Sequence, residues 1–406
     1  MRPGIELVST GLELLVGRTI NTHAHTLARH LTGQRLLRDT TIPDDRAVIR
    51  QAVSEALRRV DIVVVSGGLG PTSDDLTREA VADLAGVGLV MHEPSRLAIR
   101  DRYARIGRAL NDSVERHALV LEGAEVLMNP VGLAPGEHIR IRGQHVFLLP
   151  GPPHEFEAIL TESVVPRLTS LLPAVPTDLR VFQLCGVGES DLVTRLGGAA
   201  FPGAGLDVAY CASIGRLEVR LWAPPERRAD LDRVSDQLRQ QAGGFIYAER
   251  FAVMEEVVAE KLVARKLTLA TAESCTGGLV GHRLTNVAGS SDWFLGGVVA
   301  YANESKVRDL GVSEESLSRE GAVSQAVAGQ MAEGVRRRFG SDFGLGITGI
   351  AGPGGGTDQK PVGLVYIALA DAQGTEVREH RFAGRRAIVK EWSAQMALDL
   401  LRRKLG

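Results

Sequence analysis

Two junctions of one kind constrain this chain more than anything else in it. Each is a short apolar run, then a glycine-rich turn, then helical spacing. Asp61-Ile-Val-Val-Val-Ser66 leads into Gly67-Gly-Leu-Gly-Pro-Thr-Ser-Asp-Asp-Leu-Thr-Arg-Glu79. Leu267-Thr-Leu-Ala270 leads into Thr271-Ala-Glu-Ser-Cys-Thr-Gly-Gly278 and then Leu279-Val-Gly-His-Arg-Leu284. A continuous apolar run of this length reads as a strand covered on both faces. Strands that pass into helices through short turns alternate as β–α units, and such units build an α/β, doubly wound parallel sheet. Ligands are then expected at the carboxyl ends of the strands, where the glycine turns lie.

The chain has 406 residues, enough for two or three domains. The Pro-rich stretch Leu171–Asp178 and the Gly243-Gly244 segment place boundaries that give 1–172, 173–248 and 249–406. In the first segment Ile5–Ser9 reads as a strand, Asn21–Leu31 as a helix, and Asp44 as the N-cap of a helix reaching about Val60. The middle segment reads as a small α+β module, with strands at 180–185, 207–211 and 216–222 and helices at 189–196 and 225–242. In the last, helical spacing covers 253–264, Ser324 caps a helix to about Arg338, strands cover 343–348 and 362–370, and Arg385–Leu405 reads as a closing amphipathic helix. A formal net charge of −2 argues against general binding to nucleic acid or an anionic membrane. No apolar run approaches a membrane span, and Met1-Arg-Pro-Gly lacks a signal-peptide pattern. Three scattered cysteines, Cys185, Cys211 and Cys275, show neither metal spacing nor a disulfide framework, so a cytoplasmic setting is expected.

The turns carry the candidate chemistry. Ser274 on a strand-to-helix turn, beside Gly277 and Gly278, is a candidate nucleophile with an oxyanion or phosphate nest of backbone N–H groups. Ser274 and Thr276 are equally good N-cap residues, so a plain helix start accounts for them as well. Cys275 is a rival nucleophile, since a helix N-terminus activates a thiol, and His282 reads as a surface residue. In the other turn Gly67, Gly68 and Gly70 let the backbone approach a ligand. Asp74 and Asp75 there form a carboxylate pair suited to a divalent metal bridging phosphate oxygens. Asp74 as a helix cap is the competing account. Gly349-Ile-Ala-Gly-Pro-Gly-Gly-Gly-Thr357, preceded by Thr348, suits a ribose or phosphate. It is not followed by a helix, which disfavours a dinucleotide fingerprint.

Several separate motifs bear on identity. Thr10–Gly17, Asn21-Thr22, Gly67–Thr77, Asn129-Pro-Val-Gly-Leu-Ala-Pro-Gly136 and Leu149-Pro-Gly-Pro-Pro-His-Glu155 together resemble the molybdopterin-binding-like domain of the CinA (competence/damage-inducible protein) family. Glu273–Gly278, Gly296–Lys306, Gly321-Ala-Val-Ser324 and Thr348–Gly356 resemble that family's C-terminal domain, which is similar to nicotinamide mononucleotide (NMN) amidohydrolases. Gly186-Val-Gly-Glu-Ser190 looks like the turn of its KH-like middle domain, where Glu189 and Asp191 oppose phosphate binding. The resemblance implies two activities. NMN would be deamidated by Ser274 with Lys306 as base, and Tyr301, Thr276, Gly277, Gly278, Asn303, Thr348, Gly349 and Arg386 would surround the substrate. ADP-ribose would be cleaved at its pyrophosphate beside Glu13, Asn21, Gly67, Gly68, Gly70 and Thr77, with Mg, Mn or Co at Asp74 and Asp75. No cofactor is expected at the amidase site, and a homodimer is expected because three modules joined by short linkers commonly pair. This chain departs from the family pattern at His23, where Asn is usual, and at Glu115-Arg-His-Ala118, where Lys-Gln-Ala is usual. Without the resemblance Lys306 reads as an exposed helix lysine and Tyr301 as a half-buried strand residue. Two other readings stay open: a pterin- or nucleotide-binding first domain without catalysis, and a protein that serves competence or recombination through partners.

Overall fold

The computed structural model describes residues 4–31, 36–109, 111–172, 178–198, 201 and 206–406. The chain divides into two compact units, Met1–Pro176 and Thr177–Gly406. Part of the linker expected at 171–178 lies outside the described residues.

The first unit is built on a six-stranded sheet. Its strands are β1 (Ile5–Thr10), β2 (Leu36–Ile42), β3 (Ile62–Ser66), β6 (Glu125–Leu127), β7 (Gly136–Ile141) and β8 (Gln144–Leu149), and β4 (Leu89–Met91) and β5 (Leu119–Leu121) pair separately. The order is β2-β1-β3-β8-β7-β6, with the first four parallel and the last two antiparallel. The α/β expectation holds, with an antiparallel edge added to the parallel sheet. Every residue of β3 is buried. Its alternation feeds two cores: Val63 and Val65 enter one with Val8, Ile49 and Val81, and Ile62 and Val64 enter the other with Leu27, Phe147 and Phe156. That is why the apolar run is continuous rather than alternating.

Helix boundaries shift where a neighbouring residue competes for the cap. Asp45, not Asp44, caps the third helix, its carboxylate accepting from Ala47 and Val48, and the helix Arg46–Ala56 ends short of Val60. Asp44 accepts the Leu12 N–H at 2.8 Å instead, so the choice between two adjacent aspartates was made by a chain segment 32 residues away.

The second unit contains two sheets. The middle one is antiparallel, β10-β11-β9-β12, from β9 (Asp178–Cys185), β10 (Asp207–Ser213), β11 (Arg216–Ala223) and β12 (Ile246–Ala248), with helices Glu189–Arg195 and Arg228–Ala242. The last has the order β14-β13-β15-β16-β17, from β13 (Leu269–Glu273), β14 (Phe294–Val299), β15 (Phe343–Gly349), β16 (Leu364–Ala370) and β17 (Thr375–Arg381). Strands β14, β13 and β15 are parallel, and β16 and β17 continue antiparallel. The strand expected at 267–270 begins at Leu269 and runs on to Glu273, so Thr271 and Glu273 are strand residues. On one face, helix Gln325–Phe339, capped by Ser324, lies directly on β15. A Cβ on Gly344 would overlap the Ala332 carbonyl oxygen, and one on Gly346 would stand 2.6 Å from that of Ala328.

The closing helix, Arg386–Lys404, is not amphipathic. Val389, Ala394, Gln395, Ala397, Asp399, Leu400 and Leu401 are all buried and together span its circumference. One side packs into the last domain's core, while Met396 reaches Cys185 and Gln395 lies against Gly215 of the middle sheet. A helix sandwiched between two modules loses its polar face, which explains the departure.

Candidate functional site

Ser274, Ala300 and Thr348 stand where three adjacent parallel strands end. Glu273 pairs with Val299 on one side and Ile347 on the other. The Ser274 N–H donates to the Ile347 carbonyl at 2.9 Å, and the Ala300 N–H to the Glu273 carbonyl, also at 2.9 Å. Ser274 is buried at 9% exposure. The carboxyl edge of a parallel sheet is where α/β folds place ligands.

Lys306 is the most informative side chain there. It lies on helix Asn303–Leu310, starting just after Ala300, and is 1% exposed. Its ammonium donates to the carbonyl oxygens of Ala300 at 2.9 Å and Tyr301 at 3.3 Å. No carboxylate among the described residues forms an ion pair with it. Burial therefore lowers its pKa from the ordinary value, with Cys275 and Glu304 opposing. The exposed-helix reading of Lys306 is overturned. Tyr301 is 59% exposed rather than half-buried, and its hydroxyl accepts from Arg386 at 2.5 Å.

The turn after Ser274 differs from the expected open nest. The N-cap of helix Leu279–Thr285 is Gly278, at φ 92°, and neither Ser274 nor Thr276 caps it. The buried carboxylate of Glu273 does so from below, accepting from the N–H groups of Gly278 at 3.0 Å, Val280 at 3.1 Å and Gly281 at 2.8 Å. The Gly277 N–H donates to the Ser274 carbonyl at 3.1 Å. Gly277 and Gly278 thus have internal acceptors for their N–H groups. Glu273 was missed as a site residue because a glutamate ending an apolar strand gives no local signal of a buried cap.

Around this turn, Cys275 is buried and its thiol is pushed up to about 12 by that burial, which keeps it protonated at neutral pH. The Thr276 hydroxyl is wholly buried with no hydrogen-bond partner among the described residues. Thr348 is buried, and its hydroxyl donates to the Ala322 carbonyl at 2.8 Å. Gly349 ends β15, and Asn303 is an exposed first residue of its helix. Arg386 also donates to the Gly352 carbonyl at 3.0 Å, tying the closing helix to the glycine loop. His282 is exposed.

A cavity of about 500 Å³ opens in the first unit at the ends of β1 and β3. Glu13, Gly67, Gly68, Gly70, Asp74 and Asp75 line it. Gly67 is required at φ 96°, where a Cβ would stand 2.5 Å from the Thr10 carbonyl oxygen. Thr77 is fully buried behind Gly68, its hydroxyl without a partner among the described residues. Asn21 does not line the cavity. Its amide donates to Ser9 Oγ at 3.0 Å and its carbonyl accepts the His23 N–H. His23, buried and stacked on Phe156 at 4.2 Å, hydrogen-bonds Ser66 Oγ at 2.8 Å. Burial lowers its pKa, with the Gly151 backbone opposing. Of the other departure, Glu115 pairs with Arg100 at 2.6 Å, while His117 lines the cavity with its Nδ1 2.8 Å from the Val114 carbonyl oxygen.

Asp75 takes part in the turn itself, one oxygen accepting from the Thr72 N–H at 2.9 Å and the Thr72 hydroxyl at 2.5 Å. Asp74 is exposed, its pKa lowered by the Thr72 side chain. Among the described residues, no group of three or more His, Cys, Asp or Glu is placed to hold an ion. These carboxylate oxygens suit a hard divalent cation that takes its remaining ligands from substrate phosphate and water. No helix of the described residues is long and apolar enough to cross a membrane.

Comparison with known proteins accords with this division. Residues 6–170 match the probable molybdopterin binding domain and residues 252–405 the CinA C-terminal domain. A putative competence-damage inducible protein of Moorella thermoacetica is 42% identical over 98% of each chain. A CinA-like protein of Gemmatimonas aurantiaca is 43% identical over 98% of this chain and 96% of its own. The crystal structure of the competence/damage inducible protein CihA from Agrobacterium tumefaciens is 39% identical, covering 39% of this chain and 99% of its own at a TM-score of 0.36. With two domain matches in order and relatives of this identity along its whole length, the chain belongs to the CinA family.

Proposed function

We propose that the C-terminal domain hydrolyses the carboxamide of NMN to nicotinate mononucleotide and ammonia. The observation that carries this is Lys306: a lysine buried at the end of the sheet, held among the described residues by carbonyl oxygens, with its pKa lowered from the ordinary value by burial. A lowered pKa makes the neutral amine, the form that acts as a base, easier to reach. In this scheme Ser274 Oγ attacks the carboxamide carbon as its proton passes to Lys306 Nζ. The tetrahedral intermediate then expels ammonia as Lys306 returns the proton and the C–N bond breaks. Water, deprotonated by Lys306, attacks the ester carbonyl, the acid forms, and Ser274 regains its proton. Burial pushes the Cys275 thiol up to about 12, which removes the thiolate form that would give it an advantage as nucleophile. With the N–H groups of Gly277 and Gly278 engaged, the unpartnered Thr276 hydroxyl is the better donor to the oxyanion.

For the first domain we propose pyrophosphate cleavage of ADP-ribose in the glycine-lined cavity, supported by the convergence of Glu13, Asp74 and Asp75 there. Asp74 and Asp75 would hold a divalent cation jointly with the pyrophosphate, and the cation would supply charge neutralisation at the phosphates.

The test is ammonia release from NMN by the full chain, with Ser274→Ala and Lys306→Ala alongside. Release by the parent and by neither variant is the expected result. No release from well-folded parent protein overturns the amidase reading.

A further inference from the structure

The amidase scheme leaves one motif unused, Gly321-Ala-Val-Ser324. It joins helix Glu314–Glu320 to helix Gln325–Phe339. Three carbonyl groups in and beside it accept bonds from the glycine loop that follows β15. The Thr348 hydroxyl donates to the Ala322 carbonyl oxygen at 2.8 Å. The Lys360 ammonium donates to the carbonyl oxygens of Glu320 and of Val323, the latter at 2.7 Å. Glu320 ends its helix, so its carbonyl has no acceptor role inside that helix. Gly321 stands at φ 72°, and a Cβ on it would lie 3.4 Å from the Lys360 nitrogen. Glycine there serves both the backbone and the approach of the ammonium.

Lys360 stands at the far end of the same glycine loop. The Thr357 N–H donates to the Lys360 carbonyl at 2.8 Å, and the Lys360 N–H to Thr357 Oγ1 at 3.0 Å. The near end of the loop adjoins Ser274, whose N–H donates to the carbonyl of Ile347, one residue before Thr348. Both threonine hydroxyls of the loop thus hold it to the protein. A glycine-rich segment has few side chains to fix its course, and ordering it costs backbone entropy. A cross-tie to residues 37 and 40 positions away orders the loop before a substrate arrives.

We propose that Lys360 is a positioning residue for the C-terminal site, its ammonium fastening the loop Gly349–Thr357 to the Gly321–Ser324 turn so that substrate meets the loop already ordered. That the substrate is NMN rests on the amidase reading of Ser274.

The experiment compares the full chain with Lys360→Met and Lys360→Arg by amide hydrogen exchange and by steady-state kinetics on NMN. Lys360→Met should speed exchange over residues 349–363 about 10-fold or more, the size expected for loss of a hydrogen bond from a charged donor, with the middle sheet unchanged as the control for folding. KM for NMN should rise about 10-fold and kcat stay within about threefold, because the lost order is restored on binding. Lys360→Arg, whose guanidinium still offers donors to two carbonyls, should recover most of both effects. Unchanged exchange in Lys360→Met overturns the tie. Faster exchange with an unchanged KM, or a loss confined to kcat, overturns the positioning role. A parent that releases no ammonia removes the amidase reading, and calorimetric binding of NMN then decides the positioning role alone: weaker binding by Lys360→Met sustains it, and equal binding or binding by neither overturns it.

Discussion

The Lys306 ammonium donates to the Ala300 carbonyl oxygen at 2.9 Å, inside a sheet edge that leaves the lysine 1% exposed. A carbonyl satisfies a hydrogen bond without neutralising a charge. Burial without a counter-charge therefore disfavours the charged form and lowers the pKa from the ordinary lysine value.

Lys306→Met should lower ammonia release by about 10²–10⁴-fold, the usual contribution of a positioned base. The same change should raise Tm at pH 7. The folded-state pKa lies below the unfolded value, so the folded protein binds fewer protons and its stability rises with pH across that window. The gain in Tm from Lys306→Met should accordingly shrink as pH approaches 10.5. In the parent, kcat/KM should climb with pH along a limb whose midpoint falls below the ordinary lysine value. Scanning calorimetry and a pH–rate profile check both; a Tm gain that is the same at all pH values counts against the buried amine.

Glu273→Ala removes the acceptor of three N–H groups without replacing it. Stability should fall by at least about 2 kcal/mol, since each buried donor left unpaired is costly. The freed helix start should then bind sulfate, seen as a salt-specific rise in Tm in the variant and not in the parent. A variant as stable as the parent would mean the cap contributes nothing.

His23 is neutral in the folded state because burial lowers its pKa. Stability from this group is present above the unfolded value of 6.5 and is lost as pH falls below it. His23→Asn, the residue usual in the family pattern, gives up the stack on Phe156 but carries no titrating group. Its Tm relative to the parent should therefore improve from pH 7.5 to pH 5. A difference that does not vary with pH would place the acid sensitivity elsewhere.

The two proposed activities separate by metal. Chelation should abolish ADP-ribose cleavage and leave ammonia release from NMN unchanged, because the proposed Ser274–Lys306 scheme routes no step through an ion. Asp75→Asn should cut ADP-ribose cleavage by about 10²-fold or more, a large but usual effect for a group that places charge at the reacting phosphates. Formation of AMP and ribose 5-phosphate from ADP-ribose, read beside ammonia release in one preparation, checks this; equal sensitivity of both activities to chelator would contradict it.

Much of the architecture is local. The run Ile62–Ser66 is apolar at every position because alternate residues enter different cores, and that pattern can be read without knowing either core. Ser324 caps its helix with its own hydroxyl, accepting from Val327. Gly67, Gly68, Gly277 and Gly278 lie at positive φ, as turns after strands demand. The edge strand Thr375–Arg381 escaped notice for the converse reason. Most of its side chains are at least partly exposed and polar, and only its pairing with β16 makes it a strand.

Sequence by itself determined the strand–turn–helix units, the sheet class, the family and the neighbourhood of Ser274, because each depends on backbone conformation and on patterns a few residues long. Tertiary structure alone decided that Asp45 rather than Asp44 caps a helix, that Glu273 fills the nest beside Ser274, and that Lys306 is buried without a counter-charge among the described residues. The protonation state and exposure of a polar side chain depend on what stands around it. Such neighbours can come from far away along the chain, as Leu12 does for Asp44 across 32 residues, and then no local pattern carries the information.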